Sequence, residues 1–361
     1  MGSLSLCMIV KNESSVLKRC LDSVCDLADE IIIVDTGSSD DSTAIAKQFT
    51  DKIYSFKWID DFAKARNYSF SKASKDFVMW LDADDVILEE DRKNFLNLKN
   101  KLSVHVHDII MMKYNVAFDE HGNPTFSYFR ERIVKNNSGH IWVGPVHEVI
   151  PLSSNILYSD ISITHKKISS VNPKRNLEIF NKMLESGIEL DSRQQFYYAR
   201  ELYYNGLYEK AIKEFYLFIA RNDCWIENRI TACQDLSCCY RHLKDTDMSL
   251  KSLLMTLEYD QPRAEICCDI GRHFFDQKLY KIAVFWYELA LTRKYDEFSG
   301  GFKKIDCYGY IPYLQLCICY YRIGDIKKSI EYNELAARIK PNDSKVKYNR
   351  EFFKTIDITD K

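Results

Sequence analysis

The chain has 361 residues, 46% apolar and 28% charged, with a formal net charge of −2. That balance fits folded domains, and near neutrality without a Lys/Arg run argues against a nucleic-acid or general polyanion binder. No apolar stretch reaches membrane-spanning length, so no integral membrane segment is expected. The chain starts in a strand-like run, SLSLCMIV, without the architecture of a signal peptide. Twelve cysteines fall mostly inside helical patterns (CQDLSCC, EICCDI, LQLCICYY), and no Cys/His spacing resembles a zinc site. They are expected to be buried thiols of a cytoplasmic protein.

Strand–helix alternation runs through the first part. Residues Ser5–Val10 form an apolar run, followed by helical spacing over Glu13–Val24. Ile31–Val34 reads as a strand ending in the turn Asp35-Thr36-Gly37-Ser38, and Ser42–Phe49 as a helix. Ile53–Tyr54 reads as a short strand, DDFAKARNYSFSKAS as helical, and Phe77–Leu81 as a buried strand that delivers Asp82-Ala83-Asp84. Alternation with polar motifs at strand ends predicts a mostly parallel central sheet with its ligand site at the carboxyl edge. The glycines do not form GxGxxG, so a dinucleotide site is not expected.

The chain changes character near residue 170. Leu207-Tyr208-Glu209-Lys210-Ala211 is followed 72 residues later by Leu279-Tyr280-Lys281-Ile282-Ala283, with Leu243 midway and a later copy at Gly324–Ile330. A period near 34–36 residues with Ala, Gly and Tyr at helical spacing predicts three to four tetratricopeptide-like hairpins. The expected organisation is an α/β domain over 1–170, a helical linker over 171–195, and an all-α repeat domain with a C-terminal helix over 196–361.

Asp82 and Asp84 are two apart, so on an extended chain they point the same way. A divalent cation bound to phosphate oxygens would turn their repulsion into binding. Asp84 and Asp82 are both candidate ligands of such an ion. Asp85 either orients sugar hydroxyls, caps the following turn or serves as an alternative base. His165 ends the alternating run ISITHKK and is expected as a third metal-side group; imidazole suits Mn²⁺ better than Mg²⁺. Lys166 or Lys167 is expected on the diphosphate. Asn12, Glu13 and Asp35 lie at strand ends, where a base and ribose would bind. Arg66 supports either the nucleotide or an acidic site residue, or makes a helix salt bridge. In WVGPVHE, Glu148 is the expected proton acceptor and His147 the positioning partner, with reversed roles open. Trp142 covers a sugar face or fills the core.

The segments MIVKNE, IIIVDTGSSDDST, DDFAKARN, WLDADD, WVGPVHE and ISITHKK occur in this order. Together they resemble family 2 nucleotide-sugar glycosyltransferases of the GT-A fold, over roughly residues 4–168. Thr36 stands where the commoner VDDGS pattern has a second aspartate. The resemblance implies a metal-dependent, inverting enzyme using Mn²⁺ or Mg²⁺ and a UDP-sugar such as UDP-glucose or UDP-N-acetylglucosamine. It further implies that Asp35 contacts the nucleotide, Asp82 the ribose side and Asp84 the metal. Fusion to helical repeats resembles bacterial enzymes that glycosylate peptides or proteins, including those of glycosylated bacteriocins. The implied acceptor is a Cys, Ser or Thr side chain; the repeats either recruit that acceptor or build a homodimer. The alternatives are a glycan or lipid acceptor, or a catalytically silent protein-binding scaffold.

Overall fold

The computed structural model describes residues 2–103, 106–152, 155–168, 173–296 and 298–356. The chain divides into two compact units, Met1–Tyr197 and Tyr198–Lys361. The boundary expected at residue 170 lies outside the described residues.

The first unit holds strands β1 (Leu4–Val10), β2 (Glu30–Asp35), β3 (Ile53–Ser55), β4 (Phe77–Trp80), β5 (Asp85–Val86), β6 (Ile109–Phe118), β7 (Pro124–Lys135) and β8 (Ile156–His165). Helices α1 (Leu17–Val24), α2 (Ser42–Ala46), α3 (Phe62–Phe70) and α4 (Glu89–Lys101) are interleaved, and α5 (Arg175–Glu185) follows. The strands form one sheet in the order β3-β2-β1-β4-β7-β6-β8-β5. From β3 to β4 every pairing is parallel, and β7 then joins β4 antiparallel.

The apolar strand runs have a packing cause. On β1, Leu4, Leu6, Met8 and Val10 face one core while Cys7 faces the other. On β4, Phe77 and Met79 go to the first core and Val78 and Trp80 to the second. A sheet covered on both faces needs apolar side chains at every position, not only at alternate ones. Helix α3 starts because Asp61 accepts the Lys64 N–H at 2.8 Å, satisfying one unpaired donor of its first turn.

Helix α6 (Ser192–Tyr204) crosses into the second unit, which continues with α7 (Tyr208–Ile219), α8 (Ile226–His242), α9 (Thr246–Leu254), α10 (Ala264–Asp276), α11 (Tyr280–Leu291), α12 (Tyr310–Ile323), α13 (Ile326–Ile339) and α14 (Ser344–Lys354). Antiparallel hairpins are closed by left-handed residues at Gly206, Lys244, Lys278 and Gly324. The turn equivalent to Leu207 and Leu279 is therefore Asp245, not Leu243. The spacings are 38, 34 and 46 residues, the last enlarged by the segment between α11 and α12. Gly271 on α10 lets α11 approach closely: a Cβ there would lie 2.9 Å from the Tyr287 ring. Among the described residues, no helix is long and apolar enough to cross a membrane.

Candidate active site

The site is built at the carboxyl edge of β1, β2 and β4. Val10 and Asp35 are paired neighbours at the ends of β1 and β2. Asp35 accepts the Gly37 N–H at 3.2 Å and the Ser38 N–H at 3.1 Å, so it shapes its own turn. Asn12 has φ 57°, and its side-chain oxygen accepts the Ser39 N–H at 2.8 Å. The Glu13 N–H donates to Ser42 Oγ at 2.8 Å, which fastens the first loop to α2. The Glu13 carboxyl is pushed up to about 7 by burial and by the charges of Asp84 and Asp82, with Arg175 opposing.

Beyond Trp80 the chain leaves the sheet, and the Asp85 N–H closes a turn onto the Asp82 carbonyl at 3.0 Å. Strand alternation therefore does not apply to Asp82 and Asp84. Asp82 accepts Arg66 Nη2 at 2.7 Å, whereas Asp84 Oδ1 lies 3.4 Å from His165 Nδ1. The expectation that both share one face is corrected by this turn.

Arg66 links two of the other expected residues, Glu148 and Asp82. It is 6% exposed, and its Nε donates to Glu148 Oε1 at 2.7 Å, while Nη2 holds Asp82. Its guanidinium lies 4.8 Å from the Trp80 ring centre and 4.9 Å from that of Trp142, so aromatic faces supply part of the solvation it lost. Burial opposes ionisation of Asp82, but Arg66, Arg132 and Arg130 outweigh it and hold the carboxyl down at about 2. Trp142 is a core residue, 2% exposed and edge-on to Trp80 at 4.9 Å.

His147 and Glu148 diverge. His147 has φ 52° and stacks on Tyr197 with ring centres 4.1 Å apart, while Glu148 turns to Arg66. The left-handed backbone between them separates neighbours that the sequence reading treats as a pair.

A second cluster lies at the short β5–β8 ladder, where Asp85 pairs with His165. Ligand atoms of Asp84, Asp85 and His165 all fall within 4.8 Å of one another. Asp85 differs from its expected roles: its side chain has no exposed surface, and Arg132 Nη1 meets it at 2.9 Å. Tyr114 donates its hydroxyl to Asp85 Oδ1 at 2.9 Å, and that hydroxyl is also 2.9 Å from His165 Nδ1. Burial lowers the His165 pKa, but Asp84 and Asp85 outweigh it and raise it to about 9. Lys166 is exposed; its N–H donates to the Asp84 carbonyl at 2.8 Å and its carbonyl accepts Arg19 Nη2.

Sequence reasoning missed Tyr114, Arg130 and Arg132. The signal was present in FRERIVK, where two arginines lie two apart on a strand. Both stand over Trp80, at 5.0 Å and 3.9 Å from its ring centre. Arg66, Arg130 and Arg132 thus surround one indole.

The model of the glycosyl transferase family 2 matches residues 5–146. The chain is similar to the SPbeta prophage-derived glycosyltransferase SunS of Bacillus subtilis, 30% identical over 57% of this chain and 50% of that protein. It is 46% identical to a TPR repeat-containing protein of Synechococcus elongatus, over 25% of this chain and 22% of that protein. It therefore spans half or less of these two relatives. The solved structure of S. aureus TarS aligns at 15% identity and TM-score 0.35, over 72% of this chain and 56% of that one. Residues 5–146 thus form a glycosyl transferase family 2 domain, which this chain joins to tetratricopeptide-like helical repeats.

Proposed function

We propose that this protein transfers a hexose or N-acetylhexosamine from a UDP-sugar to a Cys, Ser or Thr side chain of a peptide or protein, with inversion at the anomeric carbon. The observation that carries the proposal is the adjacency of two clusters at the sheet's carboxyl edge: Asp84, Asp85 and His165, and Arg66 with Asp82 and Glu148. The oxygen and imidazole donors of the first cluster suit Mn²⁺ or Mg²⁺. Asp84 and His165 would hold that ion. When bound, it would neutralise the diphosphate as the anomeric C–O bond breaks.

The remaining work falls to the chain. Asn12, Glu13 and Asp35 flank the nucleotide end, and Asp82 is steadied by Arg66 for the ribose. Glu148 is tethered through Oε1, leaving Oε2 to take the acceptor proton. The acceptor atom bonds to the anomeric carbon from the face opposite UDP, and the electrons of the broken C–O bond leave with the diphosphate. The repeats recruit the acceptor chain, and twelve free cysteines fit a cytoplasmic setting.

The test is an intact-mass screen of the purified protein with UDP-glucose, UDP-N-acetylglucosamine and candidate peptides, with Mn²⁺ and with EDTA. The expected result is a single-sugar adduct that needs the metal. Undiminished turnover in EDTA would remove the metal-dependent mechanism, and transfer to free glycans but no peptide would remove the acceptor assignment.

A further inference from the structure

We propose that Arg132, Asp85 and Tyr114 are positioning residues that fix the orientation of the His165 imidazole beside Asp84, whose Oδ1 lies 3.4 Å from Nδ1, so that the two groups meet one cation. The inference rests on the metal-dependent reading above and assigns work to residues which that reading leaves unused.

The geometry separates Asp85 from Asp84. Both Asp85 oxygens are occupied: Oδ1 by the Tyr114 hydroxyl at 2.9 Å and His165 Nδ1 at 3.3 Å, Oδ2 by Arg132 Nη1 at 2.9 Å and the Asp82 N–H at 3.2 Å. Its side chain has no exposed surface, whereas that of Asp84 is 22% exposed. Asp85 is therefore placed to orient a ligand, not to be one. Metal-binding histidines commonly donate their second ring N–H to such a carboxylate, which fixes the tautomer and ring orientation.

Arg132 is costly in stability terms. It is fully buried, and its Nε and Nη2 have no hydrogen-bond partner. The rings of Trp80 and Tyr114, centred 3.9 Å and 4.3 Å from its guanidinium carbon, compensate only in part. A buried ion pair of this kind stabilises no better than an apolar replacement. What it supplies is a fixed direction: Arg132 pins Asp85, Tyr114 bridges Asp85 to the imidazole, and the ring cannot turn without breaking both contacts.

The experiment measures Mn²⁺ binding to donor-free protein by electron paramagnetic resonance. Tyr114→Phe keeps the ring and deletes the bridge; Arg132→Lys keeps the charge and loses the planar fork. Each folded variant should bind Mn²⁺ about 10-fold or more weakly. Independently, the ¹⁵N imidazole spectrum of wild-type protein, with His165 identified through His165→Gln, should show one ring nitrogen moving on Mg²⁺ addition while the other stays a hydrogen-bonded N–H. Wild-type Mn²⁺ affinity in both folded variants, or a spectrum in which both ring nitrogens or neither moves on Mg²⁺ addition, would overturn the proposal. If either variant fails to fold, the wild-type spectrum decides. A wild-type protein that binds no Mn²⁺ would remove the underlying metal reading as well, so the two failures are distinguishable.

Discussion

Replacing Arg66 by Met tests the charge balance of the whole site. At about 4 Å between charge centres, each ion pair contributes roughly 4 kcal/mol at an effective dielectric constant near 20, before desolvation. Holding Asp82 at about 2 instead of 3.8 corresponds to roughly 2 kcal/mol. Its side chain is 37% exposed, and solvent screening reduces that to about 1 kcal/mol. Glu148 is only 12% exposed and loses more when unpaired, and the contacts to Trp80 and Trp142 add about 0.5–2 kcal/mol each. Methionine recovers part of the packing, so the net loss should be about 3–5 kcal/mol at pH 7. The sign with pH follows. In the wild type, Asp82 contributes stability above its unfolded value, and this is lost as pH falls through about 2. Without Arg66, Asp82 loses the strongest of the charges that hold its carboxyl down, so the variant has less of this stability to lose and the gap between the proteins narrows as pH falls. Urea unfolding followed by tryptophan fluorescence at pH 7 and pH 4.5 measures it. Adding Asp82→Asn and Glu148→Gln should restore more than half the loss. A loss under about 1 kcal/mol, or no recovery in the triple variant, would refute the reasoning.

Glu148→Gln keeps the side-chain volume and removes the proton acceptor; transfer should fall about 10²-fold or more while UDP-sugar affinity by calorimetry stays near wild type. Glu30 is buried, yet Lys52, Ser5 and Ser74 outweigh that burial and hold its carboxyl down at about 2. Glu30→Gln should therefore cost roughly 2–3 kcal/mol at pH 7, and the difference should close as pH falls from about 5 toward 2, read from denaturation midpoints. Gly271→Ala should force the Tyr287 ring aside and cost about 1–3 kcal/mol, visible as loss of helical ellipticity at lower urea.

The alternating half of the fold was legible because a sheet covered on both faces writes unbroken apolar runs. β1, β2 and β4 stand within one residue of their expected bounds. The carboxylates were legible as a group but not in their directions. The chain leaves the strand at Leu81, and a turn sends Asp82 to Arg66 and Asp84 to His165, which residue spacing on a strand cannot encode. Arg132 and Tyr114 escaped notice because their importance arises from pairing between strands far apart in the chain. β7 must insert beside β4, and β6 beside β7, before either residue nears Asp85. The repeat turns were legible by their Leu-Tyr copies, but Leu243 misled: the left-handed residue that closes that hairpin is Lys244, so the equivalent position is Asp245.

The cysteines have a use that their packing makes available. All twelve are free, and nine are buried; Cys7, Cys20 and Cys25 belong to the first unit and the other nine to the second. Burial pushes thiols such as Cys233, Cys267 and Cys319 up to about 12, so little reactive thiolate exists until the surrounding helices separate. Alkylation then becomes a clock for local opening. Peptide mass mapping over time would read the α/β unit and the repeat array as separate traces from one wild-type sample, with no cysteine engineered into either.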